Sequence, residues 1–314
     1  MQLSLAPMDG VLDPLMRDLL TQINDYDLCV TEFVRVVDSL LPQRTFYRLA
    51  PELHNDGKTL AGCPVRVQLL GQHPQWLAEN AARAIELGSP GVDLNCGCPA
   101  KQVNKSEGGA VLLKKPELIY QIVSQMRKAV PIGQTLSVKI RLGWDDPNQC
   151  FEVAQAVEAG GADELAIHAR TKEDGYRANT ITWPKIDEVR QQLSIPVIAN
   201  GEIVSADAAT RCMQQTQTQR LMLGRGALQL PNLANVIRGH QQPYTWSQVI
   251  ELIMVYTAME TSGDKAKYFA NRIKQWFAYL RVQYPQAREL FAELRLLKQT
   301  QAIKDLLQRS TEIA

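Results

Sequence analysis

Eight short apolar runs recur between residues 3 and 223, separated by longer stretches with helical patterning, and this rhythm limits the fold more than any other feature. The runs lie at 3–8, 28–33, 65–70, 91–95, 136–142, 164–169, 197–199 and 220–223. Helical periodicity fills 75–87, 116–129, 148–159 and 206–214 between them. Strand-helix alternation repeated eight times is the pattern of an α/β chain closed into a (β/α)8 TIM barrel. Parallel strands covered on both faces read as continuous apolar runs. An open doubly wound sheet is the alternative, but no Gly-x-Gly-x-x-Gly opens the first helix.

From about Tyr244 the strand signal stops, and 247–314 read as helix broken at Thr261-Ser262-Gly263 and at Pro285. Two domains are expected, a barrel over 1–243 and a small C-terminal helical domain over 244–314. Their charge differs: 262–309 carries ten basic residues against four acidic, a net +6 in a chain of net +1. Lys265, Lys267, Arg272, Lys274, Arg281, Arg288 and Arg295 belong to this excess. The near-neutral total excludes a polycation, and distribution matters more than the sum. No basic start with a long apolar core marks a leader, and no run approaches the roughly 18 residues of a membrane span. Six cysteines in 314 residues do not make a disulfide scaffold. A cytoplasmic protein without membrane contact is expected.

In a barrel, function sits on the loops after the strands. Almost every run here delivers a polar group at that end. They are Pro7-Met8-Asp9, then Thr31, Glu32 and Arg35, Gln68, Asn95-Cys96-Gly97-Cys98, Lys139 and Arg141, His168 and Arg170, Asn200-Gly201-Glu202, and Gly224-Arg225-Gly226. Lys139 has three readings: a cation reaching solvent past the rim, one aimed at an anion in the mouth, or a Schiff-base lysine. A lone histidine such as His168 is as readily a core residue as a ligand, and no metal pattern surrounds it. Glycines after the seventh and eighth runs stand where such barrels bind phosphate, with Arg225 adding charge. The Cys-x-Cys pair lacks the second pair of a tetrahedral zinc site. A disulfide between residues two apart would be strained. Cys98, before Pro99, is either a working thiol at a strand end or a small buried hydrophobe.

Taken together, "LAPMDGVLDPLMR", "VQLLGQHP", "GVDLNCGCPAKQVNKSEGGAVLL", "SVKIRLGW", "IHART", "IANGEI" and "LMLGRGAL" resemble the motifs of the tRNA-dihydrouridine synthases, in order and over nearly the whole chain. Within that family the wording is most like the bacterial C branch, which acts on uridine 16 of the D-loop. The chain departs from the commoner family wording at Cys96, where Met is usual, at Glu202 of "NGEI", and at Leu12 and Leu15.

The resemblance implies a barrel that holds FMN, takes reducing equivalents from NADPH and reduces the C5–C6 bond of a tRNA uridine. Hydride addition to uracil C6 leaves C5 needing a proton, and a cysteine with an ordinary pKa near 8.5 stays protonated at neutral pH. Cys98 is then the proton donor and Cys96 a bystander. Lys139 would offset negative charge at the flavin, and Gln68 would bond its pyrimidine edge. Pro7, Met8 and Asp9 would approach the ring through backbone. His168, Asn200, Gly201, Glu202, Gly224 and Arg225 would hold the phosphate. Asn95 would read the uracil.

The helical domain becomes the tRNA-binding part. On a helix expected over 264–282, Phe269, Ile273, Trp276 and Leu280 form an apolar stripe, with Lys267, Lys274 and Arg281 facing solvent opposite it. Arg272, Tyr279 and Arg295, with Arg35 and Tyr176 on the barrel rim, complete the expected RNA contacts. A monomer without metal is expected. The competing readings are an FMN barrel acting on a free pyrimidine, an aldolase-like barrel, and a non-catalytic RNA-binding protein.

Overall fold

The computed structural model describes residues 1–262 and 266–311. The expected break at Gly263, the start of the 264–282 helix with Asp264 and Lys265, and residues 312–314 lie outside the described residues. Eight strands close into a barrel, each parallel to its neighbours and the last paired to the first. They are β1 (Gln2–Leu5), β2 (Leu28–Arg35), β3 (Val65–Leu70), β4 (Gly91–Cys96), β5 (Thr135–Arg141), β6 (Glu164–His168), β7 (Val197–Asn200) and β8 (Arg220–Leu223). The (β/α)8 barrel is therefore the fold. β1 is shorter than its apolar run, because the chain turns out of the ladder after Ala6, where Pro7 has no N–H to continue it.

Helices α1 (Pro14–Gln22), α2 (Gln43–Leu49), α3 (Pro74–Glu86), α4 (Lys101–Lys105), α5 (Pro116–Ala129), α6 (Gln149–Ala159), α7 (Trp183–Arg190) and α8 (Ala206–Thr216) follow strands one to seven. Short α9 (Arg225–Gln229) and α10 (Leu233–Ile237) follow β8. Proline begins α1, α3 and α5, where its missing N–H is no loss.

The strands are not apolar on both faces. Side chains alternate: Leu3, Leu5, Val67, Leu94, Val138 and Ile167 point outward into the main core under the helices. The inward face holds only a small apolar cluster that includes Ala6, Val30, Ala166 and Met222. Otherwise the interior is polar. At the N-terminal end Arg66 Nη1 meets Glu164 at 2.5 Å and Ser137 Oγ at 2.9 Å, with Arg220 on the other carboxylate oxygen at 3.4 Å. These pairs plug the barrel floor and leave the C-terminal mouth for a ligand.

The tail forms α11 (Trp246–Thr261), α12 (Phe269–Gln283), α13 (Pro285–Leu294) and α14 (Thr300–Thr311). Thr245 and Gln248 close a capping box on α11. Phe269, Ile273, Trp276 and Leu280 are buried, and Trp276 Nε1 donates to the Leu228 carbonyl of α9. The apolar core runs without a break from barrel to tail. Among the described residues no helix is long and apolar enough to cross a membrane.

Candidate active site

A cavity of about 640 Å³ opens at the C-terminal ends of the strands. All eleven residues expected to hold a cofactor line it, as do Cys98, Asn95, Tyr176 and Tyr279. Tyr279 comes from α12, so the tail supplies part of the wall.

The end of β4 separates the two cysteines. Cys96, the last residue of β4, points outward and is fully buried under the helices, which pushes its thiol far up. Cys98 lies past the strand end, half-buried on the cavity wall. Burial raises its pKa above the ordinary thiol value, against the Ala100 N–H and the charges of Arg141 and Lys139, which pull it down. The group is a thiol at neutral pH. Its loop is tied at the Gly97 peptide. Asn95 Oδ1 accepts from the N–H groups of Gly97 (3.0 Å) and Cys98 (2.9 Å), and Arg141 Nε donates to the Gly97 carbonyl at 2.8 Å. The oxygen of Asn95, expected to read uracil, is thus engaged by the loop, and its amide hydrogen goes to Gln68 Oε1 at 2.7 Å.

Lys139 stands beside Asn95 in the β4–β5 register and donates to Asn200 Oδ1 at 2.9 Å. Burial, then the nearby Arg141 charge, lowers its pKa to about 8. Asn200, expected among the phosphate ligands, bridges Lys139 and the Met222 carbonyl. His168 is buried, its Nδ1 has no hydrogen-bond partner, and burial among Arg141, Lys139, Arg170 and Arg225 holds it neutral. Gly201 takes φ +118°, and a Cβ there would lie 2.8 Å from Ile181 and 3.4 Å from His168 Nε2. Glu202 is left-handed at φ 53° and pairs with Arg225 and, at 3.1 Å, with Arg170. Exposed Tyr176 lies near two guanidinium groups, Arg141 at 5.1 Å and Arg225 at 5.0 Å from its ring centre.

The remaining expected RNA contacts do not reach the cavity lining. Arg35 is exposed and donates to Ser106 and to the Gln102 carbonyl. Lys267 and Arg295 are exposed, and Arg281 lies over Phe291 at 4.9 Å. The solvent-facing row of Lys267, Lys274 and Arg281 needs correction: α12 starts only at Phe269, after a 3-10 turn that carries Lys267. Lys274 is half-buried, donating to the Leu297 carbonyl just past α13, because the chain returning to α14 covers that face. Arg272 is engaged by Asp13 at 2.6 Å and Glu260 at 2.7 Å, where the tail meets the barrel.

Three structuring residues had no role in the sequence reading: Arg141, Arg170 and Asp93. Arg141 and Asp93 each sit two residues from an assigned one (Lys139, Asn95) on the same inward face, so period-two alternation was the available signal, whereas Arg170 lies past the end of β6.

A protonated thiol, a half-buried lysine and an arginine-glycine end, gathered at the mouth of one closed barrel, define a (β/α)8-barrel enzyme. The model of the family "Dihydrouridine synthase (Dus)" matches residues 4–312. The tRNA-dihydrouridine(16) synthase of Vibrio cholerae serotype O1 is 59% identical over 309 residues, covering 98% of this chain and 96% of that protein. The tRNA-dihydrouridine(16) synthase of Escherichia coli K12 is 56% identical over 98% of each. The chain belongs to the dihydrouridine synthase family. Among solved structures, dihydroorotate dehydrogenase from Eimeria tenella superposes with TM-score 0.58 over 82% of this chain and 83% of that one, at 12% identity. That likeness is one of barrel fold.

Proposed function

We propose that this protein reduces the C5–C6 bond of uridine 16 in the D-loop of tRNA to dihydrouridine, using FMN reduced by NADPH, as a cytoplasmic monomer without metal. The observation that carries the chemistry is Cys98, a thiol kept protonated in the same cavity as the half-buried Lys139. The near full-length likeness to enzymes named for position 16 supports the substrate.

The residues present fit a flavin mononucleotide. The cavity lies in the usual range of about 300–1,000 Å³ for such ligands. His168 Nδ1 is a buried polar atom still lacking a partner. Gly201 and Gly224 let backbone approach a phosphate, with Arg225 beside it. When bound, the flavin supplies a hydride to uracil C6. Lys139 places a positive charge where electron density collects, and Gln68 keeps one amide hydrogen for a ligand edge after bonding Asp93. Cys98 delivers its proton to C5, held in place by Asn95 and Arg141 on either side of Gly97. Tyr176, Tyr279 and Arg35 at the rim, with Lys267, Arg281 and Arg295 exposed on the tail, would meet the RNA and hold it while the base leaves its stack. Arg272 would act from the barrel–tail junction and Lys274 from within the tail.

The test is dihydrouridine formation by the purified protein with NADPH on unmodified tRNA, mapped by position. Product at position 16, absent from a Cys98→Ala protein that keeps its yellow colour, is the expected result. Turnover of a free pyrimidine with none on tRNA would overturn the RNA half. A fully active Cys98→Ala would overturn the acid.

A further inference from the structure

Three side chains form a line that runs from behind the cavity wall into its lining. Asp93 on β4, 1% exposed, accepts from Gln68 Nε2 at 2.6 Å. Gln68 Oε1 accepts from Asn95 Nδ2 at 2.7 Å, and Asn95 Oδ1 accepts from the N–H groups of Gly97 and Cys98. An amide can present either end to a neighbour, so this line has two possible directions. Both of its termini demand the same one. An ionised carboxylate only accepts, and a backbone N–H only donates. Ser137 Oγ donates to the second Asp93 oxygen at 2.5 Å. Burial lifts the carboxyl only to about 6, with Arg66 and Lys139 nearby, so it is ionised at neutral pH.

We propose that Asp93 is a positioning residue: its carboxylate sets the direction of the Gln68 and Asn95 amides, and through them the backbone of the loop that carries Cys98. It touches neither substrate nor cofactor. Its neutral isostere would leave the line free to reverse, and a reversed Asn95 would turn its NH2 group against two N–H donors and release the loop. The catalytic part of this inference rests on Cys98 being the acid. The structural part does not.

The test uses Asp93→Asn and the pair Asp93→Asn with Gln68→Glu, which puts an acceptor-only group opposite Asn95 again. The first readout needs neither flavin nor tRNA: the rate at which iodoacetamide alkylates Cys98 in flavin-free protein, followed by peptide mass. Asp93→Asn is expected to raise that rate several-fold, the paired variant to return it toward wild type, and Ser137→Ala, which leaves the direction intact, to change it little. The second readout is kcat for dihydrouridine formation in flavin-loaded protein, expected to fall about 10- to 100-fold in Asp93→Asn with KM for tRNA nearly unchanged, since a small misplacement of a reacting group has that effect. Wild-type alkylation in Asp93→Asn would overturn the proposal. So would a raised rate that the paired variant fails to reverse, because Asp93 would then act other than by direction. A wild-type protein that forms no dihydrouridine would count against the function proposed above and leave the alkylation result to decide this one.

Discussion

Lys139 carries its charge at a cost that a ligand can remove. Burial brings its pKa from 10.5 to about 8. A bound anion favours the charged form and raises the value again. Binding FMN near pH 8.5 should therefore draw a proton from solution, whereas near pH 7 the lysine is already charged and little is taken up. Calorimetry in two buffers of different ionisation heat measures this, and the uptake should vanish in Lys139→Met. Equal heats in both buffers for the wild type would show that this lysine does not titrate against the flavin. The sign for stability follows from the same shift. Between pH 8 and 10.5 the unfolded chain holds a proton that the flavin-free folded protein has lost, so Lys139 makes stability rise with pH across that window. Below pH 8 both states are charged, and its burial works against folding in full.

At the scale of elements, the anion end depends on how closely the β8–α9 turn approaches the loop after β7. A Cβ on Gly226 would lie 2.1 Å from the Ile203 carbonyl oxygen and 2.8 Å from Leu233. Gly226→Ala must push these segments apart and carry Gly224 and Arg225 with them. The expected result is a loss of roughly 1–3 kcal/mol in urea unfolding, as for other overpacked sites, with weaker FMN binding. Unchanged values for both would show that the approach is dispensable. In the sequence Gly226 reads only as a turn residue, because the carbonyl it makes room for lies on another strand's loop. The eight strands were legible because their outward residues are continuous core, and strand-end groups such as Lys139 and His168 were legible because topology sends those ends to the mouth. Asp93, Glu164 and Arg66 stayed hidden inside apolar runs, since a polar residue on an inward face has partners only once the barrel closes. Lys274 was misjudged for a similar reason: helical spacing gives a side of α12 but not what later chain covers it.

Across the whole molecule, a buried ionic joint fixes the tail to the barrel, beside the Trp276–Leu228 hydrogen bond and apolar packing. Asp13 caps α1 through Met16 N–H and meets Arg272 with its other oxygen. Glu260 of α11, 1% exposed, takes Arg272 Nε and the Tyr256 hydroxyl. Arg272 is therefore the cation between a barrel carboxylate and a tail carboxylate, and it stands on the helix that sends Tyr279 to the cavity. Removing it leaves two buried carboxylates facing each other without their guanidinium. Breaking one side of a buried charge pair costs roughly 3–5 kcal/mol, and the partial exposure of Arg272 places the expected loss toward the lower end. Arg272→Ala should lower the unfolding free energy by that amount, with a lower denaturant midpoint, and raise KM for tRNA through a displaced tail, with FMN affinity close to wild type. Arg272→Lys keeps the charge but cannot span both carboxylates with a planar fork, so it should fall between the two. Denaturant unfolding beside tRNA and FMN titrations separates the cases. A raised KM with unchanged stability would mean that Arg272 serves the RNA directly and that packing alone holds the tail.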